Sequence, residues 1–187
     1  MMPLSEAILR LFGWTVDRSH PLPPRYVMIG APHTSNWDFP VGMLGMWALG
    51  VDVHWVGKHT LFAGPLGPIM KGLGGIPVDR RISSNFIDSM TERFASGELS
   101  SLSLAPEGTR SLTHAWKTGF YYLAVSAQVP VVLGYLDYAD KIVGVGGSFT
   151  PTGDIAADLK YVREFYAEKT ARYPEKYGEI QVQPRKE

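Results

Sequence analysis

A histidine and an aspartate separated by four residues form the pair most able to do chemistry. His33 and Asp38 follow an apolar run that ends in Pro32. Side chains five positions apart diverge on a continuous helix, so the two can meet only if His33 lies in the turn before a helix whose first turns contain Asp38. Asp38 would then accept the Nδ1 hydrogen and leave a basic Nε2. The alternative is a loop histidine beside a helix-capping aspartate.

The sequence offers no obvious protein nucleophile. It contains no cysteine and no Gly-x-Ser-x-Gly segment, so a base at His33 would act on a hydroxyl group of the substrate. A metal site at His33 and Asp38 is a weaker alternative, because no third histidine or carboxylate stands at ligand spacing. The sequence therefore indicates neither a metal nor a tightly bound cofactor.

A second polar segment, residues 105–111 (APEGTRS), could bind an anion. Gly108 lets the backbone approach a ligand closely, and the Arg110 guanidinium matches phosphate oxygens. Glu107 could orient Arg110 or bind a hydroxyl group of the substrate. Taken alone, the segment is also typical of a surface turn with an ion pair.

A third segment, residues 72–81, ends in Arg80 and Arg81. From His54 to Lys117 the chain carries seven Lys or Arg and five Asp or Glu, a small cationic excess. No run of basic residues is interleaved with aromatic ones, so this excess fits a phosphate-bearing substrate better than nucleic acid. Taken alone, paired arginines after a strand are also typical of a solvated end.

In combination, these segments resemble the glycerophospholipid acyltransferase family, which includes 1-acylglycerol-3-phosphate acyltransferases. His33 and Asp38 are similar to its first motif, a His and an Asp separated by four residues. The second motif corresponds to Gly75 to Arg80, the third to Pro106 to Ser111 without a change, and the fourth to Val129 to Val132. The Lys and Gly that commonly follow the third motif are present as Lys117 and Gly119. The resemblance spans about residues 25 to 136.

The resemblance implies transfer of an acyl group from acyl-CoA or acyl carrier protein to a hydroxyl group of a lysophospholipid. The acceptor implied first is 1-acylglycerol-3-phosphate. His33 would be the general base and Asp38 would orient it. An acyl-thioester hydrolase, with water as acceptor, is one alternative, and a lipid-binding module without catalysis is another.

The resemblance also implies a substrate-binding set. It consists of Arg80, Glu107, Gly108, Thr109 and Arg110, with Lys117 and Lys58 as weaker candidates for the acceptor phosphate. The acyl chain would lie against the apolar segment 61–73 and residues near Val131.

Short β-branched runs alternate with helical stretches and must position these residues. Strands are predicted over 25–31, 52–57, 75–78, 102–105, 129–136 and 141–145. Helices are predicted over 38–49, 85–96, 117–128 and 154–173. Thr34, Ser35 or Asn36 would cap the first of these helices. This order predicts one α/β domain over 1–187, with a largely parallel or mixed sheet flanked by helices on both faces. Residues 1–24 would form an amphipathic helix and lead-in, 25–150 the catalytic core, and 151–187 a C-terminal helix.

The first helix carries an apolar stripe of Leu4, Ile8, Leu11 and Phe12. A stripe of this kind is more often core than membrane-seeking, and contact with a bilayer is the alternative. The apolar segment 61–73 is an equally good candidate for a membrane surface or for core. Because no secretory signal pattern is found, we expect a cytoplasmic protein, either free or peripheral at the inner face of the membrane.

Composition narrows the function classes further. Lys plus Arg and Asp plus Glu each number 18 in 187 residues, so no overall field attracts nucleic acid or an acidic partner. The lack of cysteine excludes disulfides and thiolate metal sites. Any anion site must therefore be local.

Overall fold

Apolar runs rich in valine, isoleucine and tyrosine form the strands at the centre of the protein, as expected for residues that fit a pleated, buried surface. The computed structural model describes residues 2–78, 85–113 and 115–182. The strands are β1 (Thr15–Asp17), β2 (Tyr26–Ala31), β3 (Trp55–Lys58), β4 (Gly75–Val78), β5 (Ser101–Leu104), β6 (Ala115–Trp116), β7 (Val131–Asp137), β8 (Ile142–Phe149) and β9 (Gln181–Val182). The α-helices are α1 (Met2–Leu11), α2 (Asp38–Ala48), α3 (Gly67–Gly72), α4 (Phe86–Ala95), α5 (Gly119–Ala127) and α6 (Ile155–Ala167).

In the described residues, the main sheet has seven strands in the order β1-β8-β7-β2-β5-β3-β4. The strands from β7 to β4 run parallel, β8 pairs antiparallel with β7, and β1 pairs parallel with β8. After β2 the chain continues to β3, which lies toward the β4 edge of the sheet. After β5 the next strand of this sheet is β7, which lies toward the β1 edge. The strand order therefore reverses between the carboxyl ends of β2 and β5, where open α/β sheets bind ligands.

Helices cover both faces of this sheet, because alternate strand residues face opposite sides. Val27, Ile29 and Leu133 face the larger core, which α4, α5 and α6 complete. Met28 and Val132 face the other side, where α1 and α2 pack. The predicted single α/β domain with a mixed sheet and helices on both faces is confirmed.

The end of the C-terminal helix differs from its prediction. Asp154 caps α6 by accepting the N–H groups of Ala156 and Ala157, which fits the expected start. The helix ends at Ala167 rather than at Tyr173, and Tyr173 precedes a proline, a position that disfavours helix. Residues 168–173 are thereby free to turn back over the loop that follows β2.

The apolar stripe of α1 does not form core, so that prediction is wrong. Leu4, Leu11 and Phe12 are 67%, 81% and 66% exposed, whereas Leu9 is buried. Leu9 packs against Trp14 and the end of α2, which turns the neighbouring stripe outward. No helix in the described ranges has the length and apolar character needed to cross a membrane.

The apolar segment 61–73 is not uniformly core either. It contains the short helix α3, which the sequence pattern did not predict; Leu66, just before this helix, and Ile69 on it are exposed. Leu61 and Met70 instead line the large cleft described below.

Candidate active site

The loop between β2 and α2 positions the histidine and the aspartate. His33 lies two residues after β2, and Asp38 is the first residue of α2. Their Nδ1 and Oδ2 atoms are 3.1 Å apart. An ionised carboxylate can only accept hydrogen bonds, so Nδ1 carries the hydrogen and Nε2 keeps its lone pair. Because 26% of its side chain is exposed, His33 can offer this basic nitrogen to a substrate.

Asp38 is buried, and both of its oxygens have partners. Oδ2 accepts the backbone N–H groups of Thr34 and Ser35 at 2.8 Å each, and Oδ1 accepts the Tyr138 hydroxyl at 2.7 Å. Burial alone would raise the pKa of Asp38, but hydrogen bonds from His33, Tyr138 and Ser35 outweigh it and hold the pKa below its ordinary value. Asp38 is therefore ionised at neutral pH and can stabilise an imidazolium.

The cap expected from Thr34, Ser35 or Asn36 is replaced by a different arrangement. Trp37 occupies the cap position, and no side chain makes a capping hydrogen bond there. Asp38 instead accepts the backbone N–H groups of Thr34 and Ser35 from the preceding turn. The Ser35 Oγ accepts the Trp37 N–H at 3.1 Å. The loop is thus wrapped around the Asp38 carboxylate.

Glu107, which follows β5, supports the backbone of this loop. Its two carboxyl oxygens lie 2.9 and 3.2 Å from the backbone nitrogen of His33 and accept the backbone N–H. Burial raises the pKa of Glu107 to about 8, against the hydrogen bond from His33, and the negative charge of Asp38 adds to the rise. Glu107 therefore contacts the backbone of the loop that carries His33, instead of orienting Arg110 as the sequence suggested.

Arg110 has its own partner in the same loop, since its guanidinium donates to Asn36 Oδ1. Nearby, Gly108 has a φ of +65°, and a Cβ there would lie 3.0 Å from Lys117 Cε. The glycine thus permits both the turn and the passage of the Lys117 side chain across it.

An open cleft of about 1830 Å³ connects these groups. His33 and Asp38 line it. Most of the predicted substrate-binding residues also line it, namely Lys58, Gly108, Thr109, Arg110 and Lys117. Glu107 is absent from this lining, consistent with its contact to the loop backbone. Arg80 lies outside the described residues.

The cleft has an apolar part, which lies between α2 and the sheet. Its walls include Met28, Met43, Met46, Leu49, Trp55, Leu61, Met70, Leu136 and Val145. Leu61 and Met70 of the segment 61–73 line the cleft, and so do Gly134 to Leu136 near Val131, although Val131 itself does not. That side chain faces the opposite side of the sheet, in the core under α5.

Three residues of this region were missed in the sequence. Asn36 holds Arg110, Tyr138 holds Asp38, and Arg172 hydrogen-bonds to Tyr138. Asn36 could have been found from its place between His33 and Asp38. Tyr138 and Arg172 carry no pattern that relates them to the loop.

Comparison with protein families decides the class of protein. The family model described as Acyltransferase matches residues 14–133. The chain belongs to the acyltransferase family. The matched region contains His33, Asp38 and the segment 105–111, which meet at the cleft.

The acyltransferase match ends before Tyr138 and Arg172. None of the curated proteins compared with the chain matches it. Within the ranges that the structure describes, no three His, Asp or Glu residues are grouped so that they could hold a metal ion.

Proposed function

We propose that this acyltransferase moves a fatty acyl group from acyl-CoA or acyl carrier protein to a hydroxyl group of a lysophospholipid, with 1-acylglycerol-3-phosphate as the preferred acceptor. The observation that carries the proposal is the His33 ring, oriented by Asp38, in a cleft whose lining includes many apolar side chains and the cations of Arg110 and Lys117. A base, an apolar channel and a local cationic site are the three features that such a reaction requires.

In the proposed reaction, His33 Nε2 takes the proton of the acceptor hydroxyl as its oxygen attacks the thioester carbonyl carbon. The carbon–sulfur bond then breaks, and the imidazolium returns the proton to the departing thiolate. The products are an ester and a free thiol. Asp38 keeps the ring in the required tautomer and stabilises its charged form. General-base catalysis of this kind contributes about 10²- to 10⁴-fold in rate.

The size and lining of the cleft support a long-chain donor. Pockets for small ligands have volumes of about 300–1,000 Å³, whereas this cleft measures about 1830 Å³. Its inner walls are formed by methionine, leucine, valine and tryptophan side chains. Burying an acyl chain there stabilises the complex by about 0.8 kcal/mol per CH₂ group.

The cations support a phosphate-bearing acceptor. Arg110, Lys117 and Lys58 are exposed side chains that line the cleft, and Asn36 holds the Arg110 guanidinium. A planar guanidinium can bind two phosphate oxygens at once. Arg80 completes this proposed set on the basis of the sequence motif.

A direct test is product analysis with two labelled donors, acyl-CoA and acyl carrier protein loaded with an acyl group. Each donor is used with and without lysophosphatidic acid. We expect labelled phosphatidic acid with the wild-type protein and none with a folded His33→Ala variant. A neutral monoacylglycerol should be a much poorer acceptor than lysophosphatidic acid. Free fatty acid as the sole product would identify a hydrolase, and bound lipid without turnover a lipid-binding module. Turnover by folded His33→Ala at the wild-type rate would exclude the base role.

We further propose that two exposed apolar surfaces touch a lipid bilayer. The first is the α1 stripe with Leu11 and Phe12, and the second is α3 with Leu66 and Ile69. Lys141 donates to the Phe12 carbonyl oxygen at 3.2 Å, which places a positive charge beside the first surface. Apolar side chains flanked by cations favour a surface of anionic lipid.

Vesicle flotation tests this membrane contact. Wild-type protein should float with vesicles that contain anionic phospholipid, and both Leu11→Ser/Phe12→Ser and Leu66→Ser/Ile69→Ser should float less. Val125→Ser alters an exposed apolar residue on α5, across the sheet from α1; it is the matched control and should float like wild type. Equal flotation of all variants, or none by wild type, would contradict the proposal.

A further inference from the structure

The two oxygens of Asp38 play different roles in the site. Oδ2 is shared by the His33 imidazole and two backbone amides, whereas Oδ1 accepts the Tyr138 hydroxyl at 2.7 Å. A carboxylate bonded at one oxygen only could still turn about its Cβ–Cγ bond. A donor on the other oxygen fixes its plane and, through it, the direction of the imidazole.

Tyr138 is itself held by residues that follow α6, which we call the C-terminal clasp (residues 170–173). The Tyr138 N–H donates to the Thr170 carbonyl oxygen at 2.9 Å. The Arg172 guanidinium hydrogen-bonds to the Tyr138 hydroxyl and lies 5.8 Å from its ring centroid. The Tyr173 N–H donates to Thr34 Oγ1 at 3.2 Å. The clasp therefore contacts both Tyr138 and the loop that carries His33.

Other groups keep the Tyr138 hydroxyl in place and protonated. Its ring packs edge-on against Trp14, with centroids 5.0 Å apart. Burial, the hydrogen bond to Asp38 and the charge of Asp38 all raise the pKa of Tyr138 above its ordinary value, although Arg172 opposes them. At neutral pH the hydroxyl is thus a neutral donor to the ionised Asp38 carboxylate.

We propose that Tyr138 is a positioning residue for the His33–Asp38 pair and that the C-terminal clasp holds it in place. This inference rests on the proposed general-base function of His33. Both Tyr138 and the clasp lie beyond residues 14–133, the region that the family model matches. The catalytic loop of this chain is therefore completed by residues outside the family region.

Tyr138→Phe tests this role because it keeps the ring against Trp14 and removes only the hydroxyl. We expect kcat to fall about tenfold while KM for either substrate changes less than about twofold, since a hydrogen bond to a charged group is lost but no substrate contact is. Tyr121→Phe is the matched control, because its hydroxyl donates to Asp158 at 2.6 Å on the other face of the sheet. Its kinetics should remain those of the wild type.

A second readout does not require turnover. In protein labelled with ¹⁵N-histidine, the Nδ1–H resonance of His33 can be assigned by its loss in His33→Ala. It should shift in Tyr138→Phe and stay in place in Tyr121→Phe. Arg172→Met, at an exposed position, should shift it in the same direction by less and lower kcat about two- to threefold.

The outcomes separate this inference from the proposed function. If the wild type transfers no acyl group but the resonance moves in Tyr138→Phe and not in Tyr121→Phe, the positioning role stands and the proposed reaction fails. If acyl transfer is found but Tyr138→Phe leaves both kcat and the resonance unchanged, the positioning role is overturned. Should Tyr138→Phe not fold, Arg172→Met decides, and an unchanged resonance there overturns it.

Discussion

At the scale of single residues, the two carboxyl groups near His33 hold different charges. Hydrogen bonds lower the pKa of Asp38, whereas burial and the nearby Asp38 charge raise the pKa of Glu107 to about 8. At neutral pH, Asp38 is ionised and Glu107 is mostly protonated. The imidazole therefore lies near one negative charge instead of two. Two carboxyl groups whose pKa values are shifted in opposite directions by their surroundings can play different roles in one site.

Glu107 should make stability depend on pH. Its pKa is about 8 in the folded protein and near its ordinary value of 4.5 when unfolded, so its favourable effect is present below pH 4.5 and is lost as pH rises toward 8. Relative to Glu107→Gln, the wild-type free energy of unfolding should fall by up to about 1.4 kcal/mol per pH unit in this window. The glutamine amide oxygen can still accept the His33 N–H.

Urea unfolding of both proteins at pH 5, 6, 7 and 8 measures this difference. Glu168→Gln, at an exposed glutamate, is the control and should follow the wild-type curve. Parallel curves for wild type and Glu107→Gln would contradict a buried, mostly neutral carboxyl group at this position.

At the scale of elements, the site consists of two loops that follow adjacent strands and are tied together twice. Glu107 reaches from the loop after β5 to the His33 backbone, and Arg110 reaches to Asn36. Both contacts join residues 74 positions apart. Because the strands beneath are paired, these contacts can hold His33 and Arg110 at a fixed separation.

Gly108→Ala should weaken binding of a phosphate-bearing acceptor. The substitution strains a residue with φ of +65° and brings Cβ to 3.0 Å from Lys117 Cε, so the lysine side chain must move. Gly97→Ala is the matched control, because Gly97 has φ of +78° and open space around a Cβ. Both variants should lose about 1–3 kcal/mol of stability from backbone strain.

Only Gly108→Ala should raise the acceptor KM, which steady-state kinetics with varied lysophosphatidic acid would measure. If the acceptor KM of Gly108→Ala equals that of Gly97→Ala, the passage of Lys117 across Gly108 has no part in acceptor binding.

At the scale of the whole molecule, the apolar cleft lies between α2 and the sheet and opens where the strand order reverses. Gly42 lies one helical turn after Asp38 on α2, lines the cleft, and has no atom within 4 Å of a Cβ. A larger side chain at this position would therefore enter the space assigned to the acyl chain.

Gly42→Leu should shift donor preference toward short chains. Leucine is a better helix former than glycine, so the variant should fold, while its side chain shortens the cleft. We expect kcat/KM for a long-chain acyl thioester to fall about four- to fifteenfold, because burial of one or two CH₂ groups is lost at about 0.8 kcal/mol each. A short-chain thioester is the internal control, and an equal loss for both lengths would place the effect elsewhere.

The sequence predicted much of the fold because burial and local geometry leave periodic traces. The run before His33, the helix that starts at Asp38 and the strand around Val132 all agree with the structure. The short helix α3 was missed because its glycines and prolines resemble a loop. The α1 stripe was misassigned because its period reveals an apolar face without revealing what packs on it.

The sequence by itself determined the family, the pairing of His33 with Asp38 and the cationic loop, because these depend on residues close together in the chain or on an uninterrupted motif. Tertiary structure alone decided that Glu107 supports the loop backbone, that Tyr138 holds Asp38 and that Tyr173 binds Thr34. The last two contacts join residues 100 and 139 positions apart. Contacts at such separations follow from strand order and chain reversal, which local patterns do not encode.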